Sequence, residues 1–300
     1  MESASSVRSW FDFLQLDGPL RCLDVGALAG ADEPEPWVRW AREGCAEVIG
    51  FEPLERECER LSREAAEQGG PLRHLPWALG DGAEHRLHIT RSQACSSLYR
   101  PAQSSVDQFE DLGERMKVEA VVPLRTHRLD ELEGTRPTDF IKLDVHGAEL
   151  MVLEHATETL KDVAVLQSEV EFIELDEGQP LFADVDAFLR RQGFLFLSFV
   201  HPMGRPIKPL HFTDRPFVPI SQLLWGDAIY GRDVRVREQW SERQRKAAVF
   251  LLHELYDAFD MAALLLGELD HRQGSTWKDC HLGSILLSHP ELALTIPAPA

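Results

Sequence analysis

The chain is 300 residues long and 44% hydrophobic, with 31 lysines and arginines against 50 aspartates and glutamates, a formal net charge of -19. That length supports one large core with appendages, and that charge disfavours nucleic acid phosphates and anionic membrane surfaces as partners. The opening MESASSVRSWFDFLQL lacks the apolar core of a signal peptide, and no later stretch reaches the length of a membrane span, so a soluble, cytoplasmic protein is expected. Cys22, Cys45, Cys58, Cys95 and Cys280 are scattered without zinc spacing and read as free thiols.

Residues 1–19 read as an amphipathic helical segment, with Trp10, Phe11, Phe13 and Leu14 available for docking on a core. From residue 20 to about 200, apolar runs alternate with helical patterns, the signature of an α/β fold with a doubly wound, mostly parallel sheet. The spacing predicts strands over 20–25, 47–51, 72–76, 139–144, 163–169 and 194–200, and helices over 34–43, 54–67 and 147–160. The first of these helices has Pro34 at its start and Gly44 past its end, the usual asymmetry of helix boundaries. Residues 85–126 interrupt the alternation with HRLHIT, a polar loop through SQACSSLYRPAQSS, and VEAVVPL, and read as an insertion beside the site. Five prolines between 201 and 220 rule out a regular helix and predict a long ordered loop. A last strand is expected over 222–231. It is followed by an extension over 232–300, helical from about 240 to 288, whose task is packing or homodimer formation. The main domain is thus placed at 20–231.

In open parallel sheets, ligands bind outside the carboxyl ends of the strands, where the strand order reverses. Acids recur there. Asp24 ends the first strand and leads into a turn with Gly26 and Gly30, Glu52 ends the second, Asp144 the fourth, and Glu169 and Glu171 the fifth. Glycine in the first turn lets backbone approach a ligand, and a carboxylate at the position of Glu52 can accept both hydroxyls of a ribose. Each acid also reads as a helix cap or an ion-pair partner, but their repetition on successive strands favours a lined cleft. A dinucleotide fingerprint would need a glycine where Leu28 stands, which weighs against a nicotinamide-dependent oxidoreductase, and neither a phosphate loop nor a G-x-S-x-G elbow occurs. A cofactor with a ribose and without phosphates fits what remains.

The blocks DVGALAG, GFEP, WALGDGAE, CSSLYRP and DFIKLDVHGAELMVLEHA, spread from about residue 20 to residue 200, resemble the FkbM family of methyltransferases. The resemblance implies a Rossmann-like class I methyltransferase fold, S-adenosylmethionine as methyl donor, and O-methylation of a hydroxyl on a sugar, glycan or natural product. It also implies site residues: Asp24, Gly26 and Ala27 beside the methionine portion, Glu52 with Pro53 at the ribose, Ala78 and Asp81 near the adenine, and Ser96 and Ser97 as the serine pair of the insertion. Two positions depart from the family's habit. Leu28 stands where relatives often have Asn, and His146 where they often have Glu or Gln.

Methyl transfer from sulfonium to an alcohol is an in-line displacement that needs alignment and removal of a proton. His146, Asp144, Glu171 and, from the loop, His201 are the candidates for that proton. His146 reads equally as a hydrogen-bonded residue stabilising its turn, and Lys142 as a buried partner for an acid or a donor to substrate. Asp144, Glu169 and Glu171 together present oxygen ligands for a divalent cation. A methyltransferase-like module without activity, serving as an interaction partner, is the non-enzyme alternative.

Overall fold

The computed structural model describes residues 7–27 and 35–294. The chain divides into two compact units, one of Gly18–Arg235 and one of Met1–Asp17 with Val236–Ala300.

Among the described residues the larger unit contains ten strands: β1 (Leu20–Val25), β2 (Ala46–Phe51), β3 (Leu72–Leu75), β4 (Ala78–Leu79), β5 (Glu84–Thr90), β6 (Val118–His127), β7 (Phe140–Leu143), β8 (Val165–Glu171), β9 (Phe194–Met203) and β10 (Trp225–Arg232). Seven form one sheet in the order β3-β2-β1-β7-β8-β10-β9. From β3 to β8 neighbours run parallel, whereas β10 runs against both β8 and β9. The connections leave β1 and β7 in opposite directions, so the order reverses between these two strands. This is the expected class I methyltransferase sheet. β4, β6 and β5 make a second, three-stranded sheet, which gives the insertion its frame.

The central strands are apolar and covered on both faces, as parallel strands must be: all four residues of β7 are buried, and Val165, Leu166 and Val170 of β8 are almost inaccessible. Helices form where apolar residues recur at three and four positions. Glu55–Gln68 buries Cys58, Leu61 and Ala65 and stops at Gly69, whose φ of 75° ends it. Pro36 opens the helix Pro36–Arg42, which buries Trp37, Trp40 and Ala41.

Several boundaries differ from the sequence expectation, three of them for a clear local reason. The predicted helix 147–160 is interrupted after Glu154, because the Asp130 carboxylate accepts hydrogen bonds from Glu158 N, Thr159 N and Thr159 Oγ1 and turns the chain. β8 runs on to Glu171 because Trp225 of β10 pairs with that residue. β9 continues through Pro202 to Met203, past the start of the expected loop. It is an edge strand, and the register opposite Trp225–Asp227 shifts where the proline cannot donate.

The smaller unit is helical: Val7–Leu14, Glu242–Tyr256, Phe259–Gln273 and Trp277–Ser288. Ser241 caps the second of these. Its hydroxyl accepts from Gln244 N at 3.1 Å, and Gln244 Oε1 accepts from Ser241 N at 2.9 Å. Asp270 caps the last helix by accepting from Trp277 N and Lys278 N. Inside lies a ring cluster of Trp10, His253 and His281, with His281 2% exposed and its Nε2 3.3 Å from His253 Nδ1. Among the described residues, no helix is long and apolar enough to cross a membrane.

Candidate active site

At the carboxyl end of the sheet a cavity of about 300 Å³ opens between the tips of β1, β2, β7 and β8 and the stretch Gln93–Leu98 of the insertion, a volume at the small end of ligand pockets. Its floor begins at Gly26. The amides of Gly26 and Ala27 both donate to the Phe51 carbonyl, at 3.0 and 3.1 Å, which folds the end of β1 across the end of β2. Gly26 has a φ of 81°, and a Cβ there would lie 1.8 Å from the Asp144 carbonyl oxygen. No residue with a side chain fits that turn. Leu28 and Gly30 lie outside the described residues.

Glu52 and Pro53 line the cavity from the tip of β2. The Glu52 Oε1 accepts from Leu54 N at 2.8 Å, and burial pushes its carboxyl up to about 7 against the pull of that bond. Trp77, Ala78, Leu79 and Leu98 supply an apolar wall beside it. Asp81 is elsewhere. It belongs to a surface turn and accepts from Ala83 N, His85 Nε2 and Thr126 Oγ1. Burial opposes ionisation there, but these bonds hold its carboxyl down at about 2. Asp24 also stands behind the cavity wall: its Oδ2 accepts from Trp37 Nε1 at 3.1 Å, and its Oδ1 lies 3.9 Å from Lys142 Nζ. Burial raises its carboxyl.

Asp144, His146 and Glu169 form the opposite side. Lys142 sits beneath them with its Nζ 3.0 Å from Asp144 Oδ2 and 3.8 Å from Glu35 Oε1, the paired arrangement the alternation along β7 allowed. Burial alone would lower this lysine, but Asp144, Asp24 and Glu35 together raise it, so it stays charged. Burial likewise favours neutral Asp144, yet Lys142 and His146 hold its carboxyl below the usual range. His146 is pushed down by burial, with Asp144 pulling the other way. Its Nδ1 lies 3.2 Å from Glu169 Oε2 and its Nε2 3.8 Å from Asp144 Oδ1. Glu169 is raised well above an ordinary carboxyl by burial and by Asp144 and Glu171.

Three features escaped the sequence reading. Glu149, the last residue of the I-K-x-D-x-x-G-x-E block, accepts from Val145 N and Gly147 N at 2.7 and 2.8 Å and so clamps the turn that carries His146, whose φ is 49°. Burial pushes its carboxyl up to about 7. Arg115 and Trp225 line the cavity from segments with no motif of their own. Glu171, by contrast, is buried away from the cavity with Glu149, Asp176 and Gln179 as neighbours, and His201 lies on the sheet edge, 81% exposed. Ser97 is on the cavity wall, where its hydroxyl donates to the His146 carbonyl at 2.5 Å and accepts from Tyr99 N, tying the insertion to the turn that carries His146. Ser96 lines the cavity beside it.

A search of curated proteins found no match. Among solved structures, magnesium protoporphyrin IX methyltransferase from Synechocystis PCC 6803, determined with bound SAM, is similar at 15% identity over 75% of this chain and 77% of that one, with a TM-score of 0.36. A putative methyltransferase from Thermoplasma acidophilum is 9% identical over 73% of this chain and 70% of its own, with a TM-score of 0.37. The 23S rRNA methyltransferase ErmE is 11% identical over 88% of each chain, with a TM-score of 0.36. The model of the methyltransferase FkbM domain matches residues 24–196, more than half of the chain. The chain therefore belongs to the FkbM methyltransferase family.

Proposed function

We propose that this chain transfers the methyl group of S-adenosylmethionine to a hydroxyl of a sugar, glycan or natural product. The observation that carries this reading is the cavity that has Glu52 on one side and the Asp144–His146–Glu169 cluster on the other. The residues suit the donor: the Gly26 turn brings bare backbone to the cavity wall, Glu52 can accept both ribose hydroxyls, and Trp77, Ala78 and Leu98 offer an apolar slot for the adenine. Ala27 supports the turn by its bond to Phe51. Asp24 acts from behind by holding Trp37 and Lys142. Asp81 shapes the insertion and makes no contact with the cavity.

S-adenosylmethionine, when bound, supplies an electrophilic methyl carbon on a sulfonium sulfur. His146 takes the acceptor's proton at Nε2, with the ionised Asp144 beside that nitrogen to favour the imidazolium. Lys142 keeps Asp144 ionised for this purpose. The first test is calorimetric titration with S-adenosylhomocysteine. Two hydrogen bonds to a carboxylate at ordinary strength predict a loss of about a hundredfold or more in affinity for Glu52→Ala. Absence of binding to the folded parent chain would instead favour the non-catalytic module.

A second reading concerns the same cluster. Asp144, His146 and Glu169 each offer a ligand atom within 4.8 Å of the others, and Glu169 Oε2 has no hydrogen-bond partner among the described residues. The divalent cation expected at Asp144, Glu169 and Glu171 would thus use His146 in place of Glu171, a donor set better suited to manganese or zinc than to magnesium. Loss of turnover in chelator with recovery on adding manganese would favour the cation; indifference to chelator would favour His146 as base.

A further inference from the structure

We propose that the segment 203–223, with Arg115 and Arg205, holds the methyl acceptor, and that this acceptor is an anionic amphiphile: a hydroxylated compound with an apolar body and one carboxylate or phosphate. This inference rests on the methyltransferase reading and narrows its substrate class.

Fourteen large apolar side chains are exposed among the described residues, and eight of them fall between 203 and 223, including Leu210 at 66% and Phe217 at 50%. Single exposed apolar residues are ordinary, but this concentration marks a binding surface. The segment is anchored, since Pro206 O accepts from Glu110 N, Lys208 N donates to Gln108 O, and Leu224 N donates to Met203 O. Its apolar exposure therefore belongs to an ordered surface.

Charge and continuity identify the occupant. Trp225 follows directly and lines the cavity, and the Arg205 guanidinium lies 5.3 Å from its ring and 5.6 Å from that of Phe217. Arg205 Nη1 donates to the Gly204 carbonyl, while its Nε is buried without a hydrogen-bond partner among the described residues. Arg115, in the cavity wall, is close enough to Arg205 to repel its charge, and the nearby acid Asp111 answers the pair only in part. Arg115 in the cavity wall and Arg205 against the ring of Trp225, which also lines it, are where one anionic group is drawn in a chain of net charge -19. Because Arg115 lines the cavity itself, the anion belongs to a molecule that enters it, which a flat bilayer does not do. A neutral glycan would leave both the arginines and the apolar surface unused.

The test is equilibrium binding to the full chain of ω-hydroxydodecanoate below its micellar concentration, against dodecanediol, maltotriose and phosphatidylglycerol vesicles. S-adenosylhomocysteine is titrated in parallel. The hydroxy acid is expected to bind, Arg205→Gln to weaken it about tenfold or more, and Phe217→Ser to weaken it several-fold, both variants keeping their affinity for S-adenosylhomocysteine. Equal binding of dodecanediol or maltotriose without an effect of Arg205→Gln, no binding of the acid, or binding to vesicles alone would each overturn the proposal. Should the acid bind but S-adenosylhomocysteine fail to, the cofactor reading falls and with it the acceptor role, leaving only a binding surface.

Discussion

The two compact units differ in the titratable groups that burial disturbs most. In the larger one, the carboxyl edge of the sheet encloses Glu52, Glu149, Glu169, Glu171 and Asp176, all pushed upward because burial disfavours the carboxylate. In the smaller one, burial pushes His253 and His281 downward. A unit that must bind something keeps polar groups inside at a cost to its own stability; a unit of packed helices tolerates two histidines because they are held neutral among rings. The same desolvation thus gives the two units opposite responses to pH.

The largest effect that would sharpen this contrast comes from Gly26→Ala. A Cβ against the Asp144 carbonyl, at positive φ, should destabilise the larger unit by about 3 kcal/mol and abolish S-adenosylhomocysteine binding. Hydrogen exchange in peptides from 242–288 should stay unchanged. Next comes acid. His281 is held at about 4 in the fold against 6.5 in the open chain, so the unfolded state takes up the proton first. Stability of the helical unit should be lost as pH falls from about 6.5 to about 4, by roughly 2–3 kcal/mol, read as a loss of exchange protection that should be absent in His281→Phe.

Base should act on the other unit. Asp176 is held neutral up to about 8 in the fold against 3.8 in the open chain, so its contribution is lost as pH rises through that window. Asp176→Asn should leave stability near parental at about pH 4 and exceed it increasingly as pH rises towards 8; equal losses over that range in both proteins would break the comparison. Smallest is Ser241→Ala, which removes a helix cap and should cost the helical unit about 1 kcal/mol in denaturant unfolding, with no change in cofactor affinity.

Much of the larger unit was legible in the sequence because parallel strands buried on both faces are written as short apolar runs. The glycine at 26 and the acids at 52 and 144 could be placed for the same reason: each follows its run directly. What could not be read was which way a side chain faces once a neighbouring strand is laid beside it. Glu171 looked like a strand tip, but pairing with Trp225 on an antiparallel strand more than fifty residues away carries β8 two residues past Glu169 and covers it. Asp24 has its hydrogen-bond partner in Trp37, and that contact turns it away from the cavity. Glu149 was visible within its block, yet its task as a clamp on two amides depends on a left-handed turn at His146 that no residue preference announces.

Gly26 pressed on the Asp144 carbonyl, and Lys142 bridging Asp24 and Asp144, have a consequence for turnover. The turns that would hold donor and acceptor are locked to each other through adjacent, paired strands, so they cannot part like jaws without breaking the register of β1 and β7. On the methyltransferase reading, a ligand would have to pass the facing wall, which is fixed at a side chain, the Ser97 hydroxyl donating to the His146 carbonyl.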